Sequence, residues 1–180
     1  MACIRKLDLN ITYDCTSLGQ LGGIGEIDEA IIINSSDIST IAESGGVGTI
    51  TMSVGTKGYL VNSVNNSVMY QEAIKVNDTV PAAEDQSIIV KILRSDGSNT
   101  DYRNLITALI GGNFRVALKS KTSQYFLAGA FCGLEASDLA TDSSTGGIST
   151  VTLKTPEGAT GDRLVTISKA TYDGLKIPKV

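Results

Sequence analysis

Few residues in this chain have the types and spacing to do chemistry. Histidine is absent from all 180 residues. Its absence removes the commonest general base, the Ser-His and Cys-His nucleophile pairs and the most frequent metal ligand. Carboxylate pairs remain, such as Asp14 with Glu26 and Glu84 with Asp85. A catalytic dyad needs one carboxyl pKa raised by burial, and adjacent residues on a strand point to opposite faces. The cysteines, Cys3, Cys15 and Cys132, are odd in number, widely spaced and free of any CxxC. That pattern gives neither a zinc site nor a disulfide framework, and it suits synthesis in a reducing compartment. Cys132 has no cation before it to lower its pKa and reads as an inert thiol. The residue types therefore point to no enzyme, no metal and no cofactor.

Two glycine clusters could cradle a phosphate, Gly19–Gly25 and Gly45–Gly48. Neither completes GxGxxG, because the final glycine is replaced by Asp28 in the first and Thr51 in the second. A strand pattern follows each, where a pyrophosphate would need a helix N-terminus. Flexible loop glycines are the plainer reading. Six tyrosines could offer stacking platforms, but tryptophan is absent and no basic residues interleave with them systematically. The net charge is −4, and no cationic run exceeds Lys119-Ser120-Lys121, so counterion release cannot drive binding to nucleic acid. The chain could still meet DNA, since a surface that lets DNA slide past should repel phosphates rather than grip them. Hydrophobic residues make up 42% and charged residues 19%, a balance that favours a folded chain over a disordered one. The N-terminus has no secretory signal pattern, and no apolar stretch of ~18 residues could span a membrane.

The elements that must position these residues follow a period of two. Ile50, Met52 and Val54 alternate with Thr49, Thr51 and Ser53; Phe114, Val116 and Leu118 alternate with Arg115, Ala117 and Lys119. Such alternation predicts strands with one buried and one wet face. Ala30–Ile33 and Ile88–Leu93 are apolar on both faces and predict strands covered twice, by a second sheet or by a neighbouring subunit. Further strands are expected at Tyr59–Val64, Val68–Val76, Tyr125–Phe131, Ile148–Lys154 and Leu164–Ser168. Asn65-Asn66 would tip a hairpin between the strands flanking it, and Ser120–Gln124 would tip another. One helix is expected at about 99–110, capped by Asn99 or Thr100, carrying Tyr102, Leu105, Ile106 and Leu109 at helical spacing and stopped by Gly111-Gly112. Leu18–Gly25, Glu43–Gly48 and Thr141–Gly147 read as mobile loops or arms. Many short strands with one helix predict a mainly β fold, an antiparallel sandwich or partly closed barrel with one flanking helix.

The order of these elements resembles that of the tail tube (major tail) proteins of tailed bacteriophages. The resemblance rests on Lys57–Ser67, Glu72-Ala73, the Ile88–Leu93 strand and the helix. It continues through Gly112–Leu118, Tyr125–Glu135, Thr145-Gly146, Val151-Thr-Leu153 and Glu157, and so covers roughly residues 57–168. It is one of pattern and order, without a signature motif.

That family resemblance implies a β-sandwich or barrel whose copies join into rings, hexameric by analogy. The rings stack into a tube for genome passage, within a virion made in the host cytoplasm. Implied partners are copies of itself and other virion tail proteins, with DNA only as passing cargo and no membrane span. Residues 57–180 would form the core. Residues 1–56 would supply N-terminal strands and Gly-rich loops, with an inter-subunit arm through about Ser44 as one reading, all in one domain overall. The expected hairpin Tyr59–Val76 makes Tyr59, Val61, Asn65, Asn66, Val68 and Tyr70 the candidate subunit contacts. A head–tail connector, a capsid decoration protein or a β-sandwich binding module would read similarly.

Overall fold

The computed structural model describes residues 26–62, 67–75, 83–92, 99–142, 148–159 and 163–177. Among them, eleven strands join by hydrogen bonds into one mixed sheet that does not close, with two helices. The fold is mainly β, as the alternation requires.

The strands are β1 (Ile27–Asn34), β2 (Ile38–Ser44), β3 (Val47–Met52), β4 (Tyr59–Asn62), β5 (Val68–Lys75) and β6 (Ala83–Ile92). They continue with β7 (Asn113–Ser120), β8 (Tyr125–Ala128), β9 (Leu134–Asp142), β10 (Ile148–Lys154) and β11 (Val165–Ile167). Helix α1 (Asn99–Gly111) precedes β7, and α2 (Lys169–Gly174) follows β11. The path folds into two layers. One runs β2-β3-β11-β8-β7-β1-β4 and the other β9-β10-β6-β5.

The layers meet at a corner in the chain. β8 and β9 lie end to end along the same edge of β7, Ala128 opposite Val116 and Leu134 opposite Phe114. Between them Gly129 and Gly133 take φ of 69° and 76°, a region that L side chains avoid. The chain thus turns out of one layer and into the other, the device by which sandwiches make corners. A Cβ on Gly133 would stand 2.1 Å from Asn113 Oδ1, so bulk as well as φ requires glycine there. Asn113 and Arg115 hold the corner by donating to the Cys132 and Phe131 carbonyls at 3.4 and 3.2 Å.

Two cores result. The first lies between the layers and packs Ala30, Ile32, Val116 and Leu118 against Ile88, Val90, Val151 and Leu153, with Leu109 of α1. Gln86 is fully buried and ties the layers together, its Oε1 accepting from Gly129 N at 2.7 Å. The second core lies on the opposite face of β1 and β7. There Ile31, Ile33, Ala117, Leu127, Val165 and Ile167 are covered by Tyr172 and Leu175 of the α2 region.

Several expectations are corrected. A second helix, α2, joins the expected one; its N-terminus is capped by Ser168, whose side chain accepts from Thr171 N at 3.0 Å. β4 and β5 do not form a hairpin, because β4 pairs with β1 and β5 with β6 in the other layer. Asn65 and Asn66 lie outside the described residues. The Glu43–Gly48 stretch is a tight hairpin rather than a mobile arm: Gly45 and Gly46 take φ of 60° and 79°, and Ser44 pairs with Val47. Two positive-φ residues match the twist of flanking strands. An arm reaching to Ser44 is also inconsistent with β1, which sits between β4 and β7 in the middle of its layer. Residues 1–25 lie outside the described residues. Strands β2 and β9 were not expected. The Ser120–Gln124 hairpin forms as read, with Ser120 N donating to Gln124 O at 2.9 Å.

Candidate assembly surface

The six expected contact residues do not share one surface. Tyr59 is 55% exposed, whereas Val68 is 2% exposed and belongs to the inter-layer core. Val61 and Tyr70 are half-buried and pack on that same core. Asn65 and Asn66 are not described. What the sequence reading did not single out is Leu60, which is 48% exposed beside Tyr59.

Tyr59 and Leu60 belong to β4, and the local sequence explains their position. Gly58 lets the chain approach β1 closely, since a Cβ there would stand 2.2 Å from Ile31 Cγ2. Its N–H donates to the Leu175 carbonyl at 2.8 Å. β4 then pairs with β1 from Ile32↔Tyr59 to Glu29↔Asn62. β4 pairs with β1 alone among the described residues, none of which adds a strand along its second edge.

The three outer strands differ in how they are guarded. β2 carries a register irregularity between Ile38 and Thr40 and the acidic Glu43. β5 carries Glu72 and Lys75. Bulges and charges of this sort blunt an edge against pairing with another chain. β4 reads Tyr59-Leu60-Val61-Asn62, with no charge, no proline and no bulge.

A second feature lies around α2. Tyr172 is fully buried, packs its ring against Tyr125 with centroids 5.1 Å apart and planes tilted by 47°, and donates its hydroxyl to Glu29 Oε1 at 2.9 Å. Lys176 pairs with the same Glu29 and lies 5.0 Å over the Tyr172 ring. Desolvation, reinforced by the bond to Glu29, pushes the Tyr172 hydroxyl pKa far up and keeps it protonated. Nearby, the hydrogen bond between Lys119 and Asp28 at 2.5 Å holds the Asp28 carboxyl below its usual range and raises Lys119. Lys169 and Asp173 shift each other in the same senses. These are charge pairs that pin α2 and its neighbours.

Beside α2, an open groove of about 340 Å³ runs along β3, lined by Ile50, Met52, Leu175 and Ile177 among others. Its lining holds no titratable group, so it offers shape and grease but no acid or base. Of the carboxylates weighed for catalysis, Asp85 faces Lys154 at 3.5 Å and Glu26 pairs with Lys121, while Asp14 lies outside the described residues. No group of three or more His, Cys, Asp or Glu among the described residues is placed to hold a metal ion. No helix among them is long and apolar enough to cross a membrane.

Comparison with known proteins finds no matching family model, no matching curated relative and no matching solved structure.

Proposed function

We propose that this chain is a structural virion subunit that assembles with copies of itself into rings, stacked as the tail tube through which a phage genome passes. On this reading it is not an enzyme, it is made in the host cytoplasm, and its other partners are virion tail proteins. The observation that carries the reading is the unguarded β4 edge. An uncharged, regular edge strand with two half-exposed apolar side chains is a template for pairing with another chain. Pairing by sheet extension repeats the same patch-to-edge contact from copy to copy, and such a contact closes into a ring when the rotation allows. The net charge of −4 suits a conduit that lets phosphates pass without gripping them.

The support does not come from two-sided burial. β1 needs no neighbouring subunit to cover its second face, because α2 already does so. Self-assembly therefore rests on an edge rather than on a face.

Leu60→Lys tests the proposal. The position is on the surface, so folding stability should change by no more than about 0.5 kcal/mol. Sedimentation velocity and negative-stain microscopy should show rings or tubes for the parent chain and only monomers for the variant. A parent chain that stays monomeric at every concentration ends the proposal. Unchanged rings in Leu60→Lys remove β4 as the contact.

A further inference from the structure

A contact of β4 with β4 is isologous and closes at two copies, whereas a ring requires β4 to meet a different patch on the next copy. Sheet extension restricts that patch to another outer strand, and the described residues offer β2 and β5. The two differ in charge. β5 presents the exposed carboxylate of Glu72 midway along its length, and a charge of this kind resists pairing with another chain.

β2 stands at the end of its layer opposite β4, and among the described residues it pairs with β3 alone. The irregularity that guards it lies between Ile38 and Thr40, so Thr40–Ser44 stays in unbroken register with β3. The charge of Glu43 is already met: its side chain is 19% exposed and accepts from Arg163 at 2.7 Å. Beyond the irregularity, β2 therefore offers a regular stretch long enough for the four residues of β4.

The faces also agree. Leu60 stands opposite Ile31 and so projects on the α2 side of the layer, the side from which Ile41 packs on the second core. On the other side Tyr59 is 55% exposed, and Thr40 and Ala42 are exposed as well. β4 laid antiparallel along β2 with Leu60 beside Ile41 puts Tyr59 beside Ala42 and Val61 beside Thr40. Both half-exposed side chains of β4 gain cover, the tyrosine ring meets a small residue, and no charge faces a charge. We propose that the Thr40–Ser44 edge of β2 receives β4 of a second copy of this chain, so that one layer runs on from copy to copy. The inference rests on the self-assembly reading and names the surface that completes its contact.

Mixing two full-length variants tests it. Ala42→Lys keeps β4 and spoils the receiving edge, whereas Leu60→Lys keeps the receiving edge and spoils β4. Sedimentation velocity should find each variant monomeric alone. Together they retain one matched pair of edges and should form a one-to-one dimer that grows no further. Thermal melts by circular dichroism check that both are folded. Thr40→Lys, at another exposed position on the same side of β2, replaces Ala42→Lys if that variant melts far below the parent. Rings from Ala42→Lys alone overturn β2 as the receiving edge and leave self-assembly standing. A mixture that stays monomeric while the parent forms rings does the same. A parent chain that stops at dimers means that β4 meets β4, which also overturns the pairing. A parent chain that is monomeric at every concentration removes the self-assembly reading itself, and this pairing with it.

Discussion

β1 and β4 are hydrogen-bonded neighbours with similarly apolar sequences and opposite environments. β1 has a partner on each edge and a core on each face: Ala30 and Ile32 point between the layers, Ile31 and Ile33 toward α2. Among the described residues β4 has one partner and leaves Tyr59 and Leu60 about half exposed. Apolar content alone does not distinguish the two. What separates them is which later segment returns to cover each, and the returning piece, α2, lies 130 and more residues downstream of β1. A strand that is greasy on both sides is thus evidence of cover, not evidence of a neighbour. An edge that is greasy and unguarded is the better sign of a partner.

The comparison can be broken first at the cover. Tyr172→Ala removes a fully buried ring from the second core and should cost about 3–5 kcal/mol of unfolding free energy, the range for large aromatic-to-alanine changes. Ile31→Ala, on the strand face that Tyr172 covers, should cost slightly less, about 2–5 kcal/mol. Denaturant titration measures both. If Tyr172→Ala is nearly neutral, α2 is not the cover that β1 requires, and a neighbouring subunit again becomes the candidate for that role.

The same cover should be sensitive to alkali. Tyr172 has a folded-state pKa raised above the value of about 10 that an unfolded tyrosine shows. A raised pKa means that the folded form holds its proton more tightly. The associated stability is fully present below about pH 10 and is lost as the pH climbs beyond it. Lys119 and Lys169, also raised, push in the same direction. Melting temperature followed upward from pH 9 should fall, and Tyr172→Phe should flatten that fall. At neutral pH the same variant should lose only about 0.5–1.5 kcal/mol, the net worth of one hydrogen bond. An alkaline slope unchanged in Tyr172→Phe would assign the loss to the lysines instead.

How much of this was legible in the sequence depends on whether a period survived intact. β3 and β10 alternate along their whole length and β7 does so but for the buried Ala117, whereas β1 is read from a run of apolar residues on both faces. β2 and β9 were missed, and both lie at register irregularities, between Ile38 and Thr40 and at Thr152/Leu153 opposite Ala136 and Asp138. An extra residue at such a point moves the following side chains to the other face. In β2 the inward residues Ile38 and Ile41 therefore stand three apart; in β9 Ala136 and Leu139 do the same. The alanines and aspartates of Leu134–Asp142 further weaken a strand reading. α2 spans six residues, too few for a helical period to show. The false hairpin at Tyr59–Val76 arose differently. Alternation shows that two segments are strands, yet it does not show that they pair, and here the chain crosses from one layer to the other between them. Of the six expected contacts Tyr59 is half exposed; the burial of Val68 was not legible, because its environment depends on β6 pairing at Val90.

The smallest change in stability should accompany the sharpest test of how β4 makes contact. Tyr59 and Leu60 are consecutive and so point to opposite faces of the layer. A neighbour that extends the sheet edge to edge passes beside both, whereas a neighbour that packs on one face touches only one of them. Tyr59→Ser and Leu60→Ser should each change folding stability by no more than about 0.5 kcal/mol, since both side chains are about half exposed. Their effects on assembly carry the information. Similar losses of ring formation in sedimentation mean that the sheet continues into the next copy through backbone pairing, with the two side chains flanking the seam. Loss in one variant alone means that β4 is covered from one side and the sheet does not continue through it.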